Sequence, residues 1–458
     1  MSPSDSNQLI IIDLHAPKRR ALLLVPVILA LLGAWFGLRW YTGNTLAEYG
    51  PGVEDGGMEV AHSAVRLAPR DPVPRWKLAR LEEKTFTPKD LESAVKHYAE
   101  AVSLSPSDYR LWMDYGRSLE LSGNAAQAEL AFRHAVELAP AYAYPRWYLG
   151  NLLLRAGRTD EAFTELRAAA ESASQLRAPV FSLALQIFGQ DSAGIKNAIG
   201  PSRELRASLT SYLVSSQRLD DAFGLWNSFS AEEKKSQDPI GEELLKAFAA
   251  AKRFHIALEL ARQLAADDSL KPVMNQVFNG GFEMGQAARG ATVFSWQLVT
   301  VPQAQTSIDS NQYHGGARSL RIGFKSSSNL ALNTVTQLVA VEPQAQYRFE
   351  FYVRTDNLRS GGTPRFEIVD ETDGTLLAAS APLTPGTSGW QQIKIDYATK
   401  AKTEAIRIRI NRASCGSDPV CPIFGTVWYD DFNLQRTGRV AGRKPTGQAK
   451  AHNAAAMG

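Results

Sequence analysis

The chain has 458 residues, of which 44% are hydrophobic and 21% charged, a balance that is ordinary for globular domains and excludes a disordered or collagen-like chain. This length exceeds what a single hydrophobic core supports, so about two or three folded units are expected. The 50 basic and 47 acidic residues give a formal net charge of only +3, which offers no electrostatic basis for nucleic-acid binding.

The N-terminal segment has the features of a membrane anchor. Residues 21–38 form a run of 18 residues without a charged side chain, which as a helix nearly crosses the hydrocarbon core of a bilayer. Basic residues precede this run and aromatic residues mark its far end, namely Lys18, Arg19 and Arg20, then Trp35, Trp40 and Tyr41. This asymmetry predicts a cytoplasmic N-terminus at 1–20, a transmembrane helix at 21–41, and the bulk of the chain on the periplasmic side of a bacterial inner membrane.

Two alternatives to an anchor remain open. Thr45 and Ala47 could form a poor signal-peptide cleavage site, although the apolar run is longer than the usual signal core. A buried core helix would tolerate Pro26 within the run, but it does not explain the charges that flank it.

The two cysteines predict a disulfide. Cys415 and Cys421 lie in the segment CGSDPVC between two strand-like runs. Such a pair closes a small loop that persists in an oxidising compartment, which the predicted topology supplies. Two free thiols in a reducing cytosol are the alternative. The sequence has no CxxC pair or histidine cluster beside them, which argues against a zinc site.

Residues 55–265 contain an internal repeat of helical period. Alanines, large apolar residues and turn residues recur 34 positions apart: Ala94, Ala128 and Ala162; Tyr98, Phe132 and Leu166; Ala101, Ala135 and Ala169; Pro106 and Pro140; Gly116 and Gly150; Gly123 and Gly157. Small alanines let antiparallel helices approach closely, larger side chains fill the space between repeats, and proline ends the second helix. The pattern predicts an α-helical solenoid of helix–turn–helix units.

The segment WMDYGRSLELSGNAAQAELAFRHAVELAP (112–140) resembles a tetratricopeptide repeat (TPR) at nearly every signature position. The next repeat has Ser174 in place of the closing proline, and the register decays after about residue 175 into amphipathic helical pairs. The resemblance implies a concave surface that holds a protein or peptide partner. A rigid spacer is the alternative role.

Residues 271–436 change from helical to strand periodicity. Apolar and polar residues alternate in three runs, whose apolar members are Leu320, Ile322 and Phe324; Tyr347, Phe349, Phe351 and Val353; and Ile406, Ile408 and Ile410. Each run predicts a strand with one buried face. The layout predicts an all-β antiparallel sandwich, followed by a disordered basic tail at 437–458.

Segments of this domain resemble, in order, bacterial carbohydrate-binding modules that share the galactose-binding jelly-roll fold. They are NGGFE (279–283) followed by Trp296, HGGARSLRI (314–322), YRFEFYVRT (347–355), the strand at Trp390, and TVWYDDFNL (426–434). The resemblance implies a jelly-roll sandwich that binds polysaccharide and a structural calcium ion, for which Glu283 and Asp430 are the matching carboxylates. Calcium takes hard oxygen ligands of this kind. A carboxylate pair satisfied by cations or N–H groups without a metal is the alternative.

The glycan-binding residues are predicted on the outer side of the strands. Where Phe349 and Phe351 face the core, the residues between them face outward. We predict one arginine-rich outer face that binds an anionic, uronic-acid-containing glycan through Tyr352, Arg348, Arg354, Arg365, Arg407 and Arg409. A solvated face with cross-strand ion pairs is the alternative. Trp296 and Trp390 are expected to fill the core.

These features predict a non-enzymatic, membrane-anchored adaptor of the cell envelope, whose repeats hold a protein and whose β-domain binds glycan in polysaccharide synthesis or export. A protein-only assembly factor, whose β-sandwich binds protein, is the alternative. An enzyme is disfavoured because these units leave no segment for a catalytic domain with two carboxylates around a sugar. The sequence also lacks phosphate-loop, GxSxG and metal-hydrolase motifs.

Overall fold

The computed structural model describes residues 17–284, 293–327, 332, 334–416 and 420–440, and side chains from residue 24 onward. Across these residues, 15 α-helices are followed by ten β-strands. The predicted order of an α-helical solenoid and an antiparallel β-sandwich is confirmed. Residues 1–16 of the predicted cytoplasmic segment and 441–458 of the predicted tail lie outside the described residues.

The chain forms two compact units, Met1–Arg206 and Ala207–Gly458, so the division lies within the helical region and not where helices give way to strands. The helices of the first unit are α1 (Pro17–Tyr49), α2 (Gly57–Leu67), α3 (Pro72–Glu83), α4 (Pro88–Leu104), α5 (Tyr109–Leu121), α6 (Ala125–Leu138), α7 (Ala143–Arg155), α8 (Thr159–Ser172), α9 (Arg177–Phe188) and α10 (Ser192–Ile199). Helix α11 (Arg203–Ser215) crosses the boundary. The second unit continues with α12 (Leu219–Asn227), α13 (Ala231–Ser236), α14 (Asp238–Ala250) and α15 (Phe254–Leu264).

Helices of the first unit pair into antiparallel hairpins whose crossings are filled by the repeat residues. Ala128 and Ala162 are fully buried, as is Phe132 between them. A Cβ atom on Gly116 would lie 2.7 Å from the Phe132 ring, so only glycine permits this approach of α5 to α6. Several helices begin next to a residue whose side chain caps the helix N-terminus. Asp108, directly before α5, is one of these residues and accepts from the N–H of Arg110. The 34-residue register therefore marks the helix contacts.

Helix α1 is longer than the predicted transmembrane helix, which was expected to end at residue 41. Within it, Leu24–Tyr49 is long and apolar enough to cross a membrane. Its apolar side chains lie on the surface of the protein, with Leu29 62% and Leu31 65% exposed. This exposure contradicts the alternative interpretation, in which the segment is a buried core helix. Beyond the apolar run, Gly43 and Ala47 are buried against α2 and α3.

The β-sandwich consists of two five-stranded antiparallel sheets. Sheet I has the order β1-β4-β9-β6-β7, and sheet II has the order β2-β3-β10-β5-β8. The strands are β1 (Gln297–Leu298), β2 (Ala304–Asp309), β3 (Ser319–Ser326), β4 (Val335–Ala340), β5 (Ala345–Arg359), β6 (Pro364–Asp370), β7 (Leu376–Ala379), β8 (Gly386–Ala398), β9 (Ala405–Arg412) and β10 (Ile423–Arg439). Residues 437–439, predicted as disordered tail, are therefore part of β10.

Aromatic rings fill the space between the two sheets. Phe432 of β10 lies 5.3 Å from Phe351 and 5.2 Å from Phe366, measured between ring centroids. Trp296 packs on the same cluster, 4.9 Å from Phe432, so the prediction that it fills the core is confirmed. The sandwich is held by these ring contacts together with the alternating aliphatic residues of both sheets.

The predicted disulfide between Cys415 and Cys421 is present. It packs against the turn between β5 and β6, where a Cβ atom on Gly362 would lie 3.0 Å from Cys421 Sγ. The Arg412 guanidinium lies over the same turn and donates to the carbonyl oxygens of Gly362 and Cys421, both at 2.9 Å. The bridge therefore closes the β9–β10 loop at one end of the sandwich.

Within the second unit, helix α15 is docked on the sandwich. Lys252, just before α15, donates to the carbonyl oxygen of Thr372 at 2.7 Å. His255 Nε2 lies 2.9 Å from the carbonyl oxygen of Val341, which it can contact only as a donor. The His255 backbone N–H also reaches Glu404 at 3.3 Å. These contacts place α15 next to the end of β4 in sheet I.

Candidate functional site

The six residues predicted to bind glycan lie on two different sheets. Arg348, Tyr352 and Arg354 belong to β5 in sheet II, whereas Arg365 of β6 and Arg407 and Arg409 of β9 belong to sheet I. The prediction of one shared outer face is therefore wrong. Alternation along a strand determines which side chains face the core, but it does not determine which sheet the strand joins.

The arginines of sheet I are engaged in ion pairs. Arg365 and Arg409 both donate to Glu367, at 2.7 and 2.9 Å, and Arg407 donates to Glu371 at 2.6 Å. Glu367 is 2% exposed and also accepts from the Asn411 amide at 3.1 Å. The outer face of sheet I therefore contains cross-strand ion pairs, which were the alternative to a glycan-binding surface.

Burial alone would raise the pKa of Glu367. Hydrogen bonds from Asn411, Arg365 and Arg409 favour the carboxylate, however, and on balance they hold the pKa below its ordinary value. The ionised form of Glu367 is therefore part of the folded state of sheet I.

Glu367→Gln should destabilise the sandwich by about 2 kcal/mol at neutral pH, because one neutral amide oxygen cannot satisfy two guanidinium groups. Since the folded pKa is lowered, the contribution of Glu367 is present above the pKa of glutamate in the unfolded chain and is lost as the pH falls through the folded pKa. Urea unfolding of the full-length protein should show the difference from the parent shrinking on acidification. An equal difference at neutral and acidic pH would contradict this assignment.

The outer face of sheet II carries an aromatic platform formed by His314, Tyr352 and Trp390. The His314 ring stacks on Tyr352 with centroids 3.6 Å apart and an interplanar angle of 13°. Trp390 meets His314 nearly edge-on at 5.8 Å. Tyr352 and Trp390 are half-buried, and His314 is exposed. A partly exposed cluster of rings of this kind can contact a sugar ring.

Trp390 was predicted to fill the core, and this prediction is wrong. On β8 the residues that face the core are Ile395 and Tyr397, so the strand alternation turns Trp390 outward. His314 was missed altogether as a site residue. Its sequence signal was the HGG turn before β3, which brings the imidazole over Tyr352 on β5 of the same sheet.

Cationic groups lie beside the platform. Arg354 is two residues along β5 from Tyr352 and pairs in register with Trp428 of β10. Its Nε is buried and has no hydrogen-bond partner among the described residues. Arg348, by contrast, is held by Asp396 at 2.8 Å. Of the two predicted sheet II arginines, Arg354 is therefore the one without an ion pair among the described residues.

The two predicted metal residues converge on one loop. Asp430, which is fully buried, accepts through Oδ2 from the N–H groups of His314 and Gly315 at 2.7 and 3.2 Å. Glu283 Oε1 accepts from the N–H groups of Ala317 and Arg318 at 2.9 and 3.1 Å. The loop at 314–318, which presents His314 to the platform, is therefore tied down by both carboxylates.

The carboxylates of Glu283, Asp430 and Asp431 offer the type of oxygen ligand that a hard cation takes. A Cβ atom built on Gly281 would lie at ordinary contact distance from two carboxylate oxygens, 3.7 Å from Asp431 Oδ1 and 3.9 Å from Asp430 Oδ1. Burial, together with the charge of Asp431, raises the pKa of Asp430 against the lowering effect of its N–H donors. Among the described residues, however, no three or more His, Cys, Asp or Glu side chains form a group that could hold a metal ion.

The first unit has a cavity of about 350 Å³ between α1, α3 and the start of α5. Its lining includes Asn44 and Glu48 of α1 and Trp76, Lys77 and Arg80 of α3. Arg80 lies over the Trp76 ring at 4.9 Å, and Trp76 Nε1 donates to Asp114 at 2.7 Å. The cavity thus combines an aromatic wall with cationic and anionic side chains.

Models of protein families match both segments that resemble a known family. A carbohydrate binding domain model matches residues 274–416. A tetratricopeptide repeat model matches residues 109–142. The two resemblances predicted from the sequence are therefore confirmed. No curated protein matches the chain.

Three solved structures are similar to parts of the chain. The CBM22-1–GH10 modules of xylanase 10B from Clostridium thermocellum, complexed with xylohexaose, share 14% identity at a TM-score of 0.25, over 36% of this chain and 29% of the xylanase chain. A CBM4 structure shares 14% identity at a TM-score of 0.26, over 35% of this chain and 99% of its own. A MamA AMB-1 structure shares 20% identity at a TM-score of 0.23, over 26% of this chain and 68% of its own. The chain therefore spans less than a third of the xylanase chain.

Proposed function

We propose that this protein is a membrane-anchored, non-enzymatic adaptor of the bacterial cell envelope that binds polysaccharide through the aromatic platform of sheet II. The observation that carries the proposal is the stack of His314 and Tyr352 beside Trp390, which places three partly exposed rings on the outer face of sheet II. The carbohydrate binding domain match supports the ligand class. A role in polysaccharide synthesis or export is the corresponding cellular function.

The ligand is an anionic glycan that contains uronic acids. Arg354, next to the platform, makes no ion pair among the described residues, and the outer nitrogens of its guanidinium would donate to a sugar carboxylate. The arginines of sheet I are not part of this site, because Glu367 and Glu371 occupy them. Arg354 therefore selects the charge of the glycan, and the rings supply stacking.

Calorimetric titration of the full-length protein in detergent should show binding to polygalacturonate in preference to neutral xylan. Tyr352→Ala and Trp390→Ala should each weaken binding about tenfold, the loss of a stacking contact of about 1.4 kcal/mol. Arg354→Gln should remove the preference for the anionic polymer. Leu376→Ala, an exposed position on sheet I, is the matched control and should bind as the parent does.

Unchanged affinity in both aromatic variants would place the glycan elsewhere. Failure of the parent protein to bind any polysaccharide would instead favour the alternative function, a protein-only assembly factor whose β-sandwich contacts protein.

Helix α1 is proposed as the anchor, with the N-terminus in the cytoplasm and both compact units in the periplasm. The exposed apolar side chains and the basic residues that precede them support this topology. The tetratricopeptide match supports a protein partner for the helical array, which we place on its concave face.

Glu283 and Asp430 are proposed to hold a structural calcium ion. The ion would neutralise the buried charge of Asp430. It would also bind carboxylate oxygens beside the loop at 314–318, which Glu283 and Asp430 already hold by hydrogen bonds. Because that loop carries His314, its order determines the order of the platform.

A further inference from the structure

The helix that contains the apolar segment is also the first helix of the repeat array. Tryptophans recur every 36 residues in the first helices of three successive hairpins, namely Trp40 of α1, Trp76 of α3 and Trp112 of α5. Trp40 Nε1 donates to Asp71, the residue before α3, at 2.7 Å. Near the other end of the contact, Lys77 of α3 reaches the carbonyl oxygen of Gly50 at 3.4 Å. Helices α1 and α3 therefore run side by side in the same direction.

The starts of the following helices continue this alignment along one edge of the array. The cavity lining joins the first residues of α3 to those of α5. Tyr109 and Tyr142, which lie at the starts of α5 and α7, have ring centroids 5.0 Å apart. We call this the turn edge. It begins beside Trp40, where α1 leaves its apolar run, and continues past the starts of α3 and α5 to the start of α7.

Exposed aromatic side chains lie at both edges of the array, so the position of each edge relative to the apolar run of α1 determines which edge can reach a lipid surface. Tyr142 is 58% exposed and Tyr144 is 47% exposed. At the opposite edge, Tyr49 is 78% exposed and Phe86 is 70% exposed, and the later hairpin turns present Ser122, Gly123 and Gly157. Tyrosine combines an apolar ring with a polar hydroxyl and is favoured at the interface between lipid and water.

We propose that the turn edge, marked by Tyr109, Tyr142 and Tyr144, lies on the phospholipid headgroups of the membrane that α1 spans. The proposal rests on the anchoring proposed above. A lipid surface is the occupant because α1 is one continuous helix, so the edge that begins at the end of its apolar run is level with the headgroups.

The test uses full-length protein in vesicles of phosphatidylcholine and phosphatidylglycerol. Both cysteines of the chain form the disulfide, so an introduced cysteine can be labelled selectively with bimane. Labels at Tyr142→Cys and Tyr144→Cys should be quenched several-fold more by headgroup spin-labelled lipid than a label at Ser122→Cys, the matched position on the opposite edge.

A label at Leu32→Cys, quenched by acyl-chain spin-labelled lipid, reports whether α1 crosses the bilayer. Quenching there, combined with equal quenching at Tyr142→Cys and Ser122→Cys, would overturn the lipid contact and leave the anchor in place. No quenching at Leu32→Cys would overturn the anchor and the lipid contact together.

Discussion

Ala128→Arg should abolish cooperative folding of the first compact unit. Ala128 is fully buried where α5, α6 and α7 meet, among Leu119, Phe132 and Leu149. A long charged side chain there must displace these neighbours or bury an unpaired charge, at a cost above about 4 kcal/mol. Because a domain is stable by only about 5–15 kcal/mol, a loss of this size removes most of its stability.

Scanning calorimetry of the full-length protein should show the transition of the first unit lost or strongly shifted, with the transition of the sandwich retained. Ala126→Arg is the matched control, since Ala126 lies on the same helix but is exposed. Its effect should stay within about 0.5 kcal/mol of the parent. Similar melting of the two variants would show that the register of the repeat is wrong.

Removal of calcium should lower the melting temperature of the sandwich. An ion that binds only the folded state adds about 2.7 kcal/mol at a hundredfold excess over its dissociation constant. For a unit of this size, that gain corresponds to a shift of about 5–10 °C. The transition retained in Ala128→Arg should therefore move down on addition of a chelator and return when calcium is restored in excess.

Asp430→Asn should remove the response to calcium, because the amide lacks the charge that the ion requires. It should also destabilise the protein without calcium, since Asp430 accepts N–H groups through both of its oxygens and an amide can accept through only one. Asp396→Asn, at an exposed carboxylate of the same sandwich, should keep the response. Identical melting of the parent with and without chelator would rule out the ion and leave a carboxylate that only binds the loop.

The helical array was largely predictable because its contacts are local. The 34-residue register of alanine and glycine identified the crossings directly, and Gly116 against Phe132 is one of them. The start of the array was missed, although Trp40 stands 36 residues before Trp76, because an apolar run was interpreted only as a membrane segment. One helix can span a membrane and also belong to the repeat array. Periodicity indicates each of these roles on its own and does not show that a single helix has both.

The site on the sandwich was predicted only in part, because it depends on which strands become neighbours. Alternation correctly turned Tyr352 and Arg354 outward, but the same rule grouped them with Arg409, whose strand joins the other sheet. His314 reaches Tyr352 from a loop 38 residues earlier in the chain, a contact that no local pattern encodes. The sequence patterns therefore did not predict which strands pair over long range or where the loop that carries His314 lies.

The docking of α15 on the sandwich determines how a load on bound polysaccharide would be transmitted. The segment that joins them is tied as well, because Asn275 donates its N–H to Ala340 at 2.9 Å and accepts from the Tyr347 hydroxyl at 2.6 Å. A module on a flexible tether would reorient under tension before any force reached its neighbour. Here the force from a pull on a polymer chain held at Trp390 would pass through sheet II and the core to β4 in sheet I. From the end of β4 it would reach the last helical hairpin through the hydrogen bond between the Val341 carbonyl oxygen and His255.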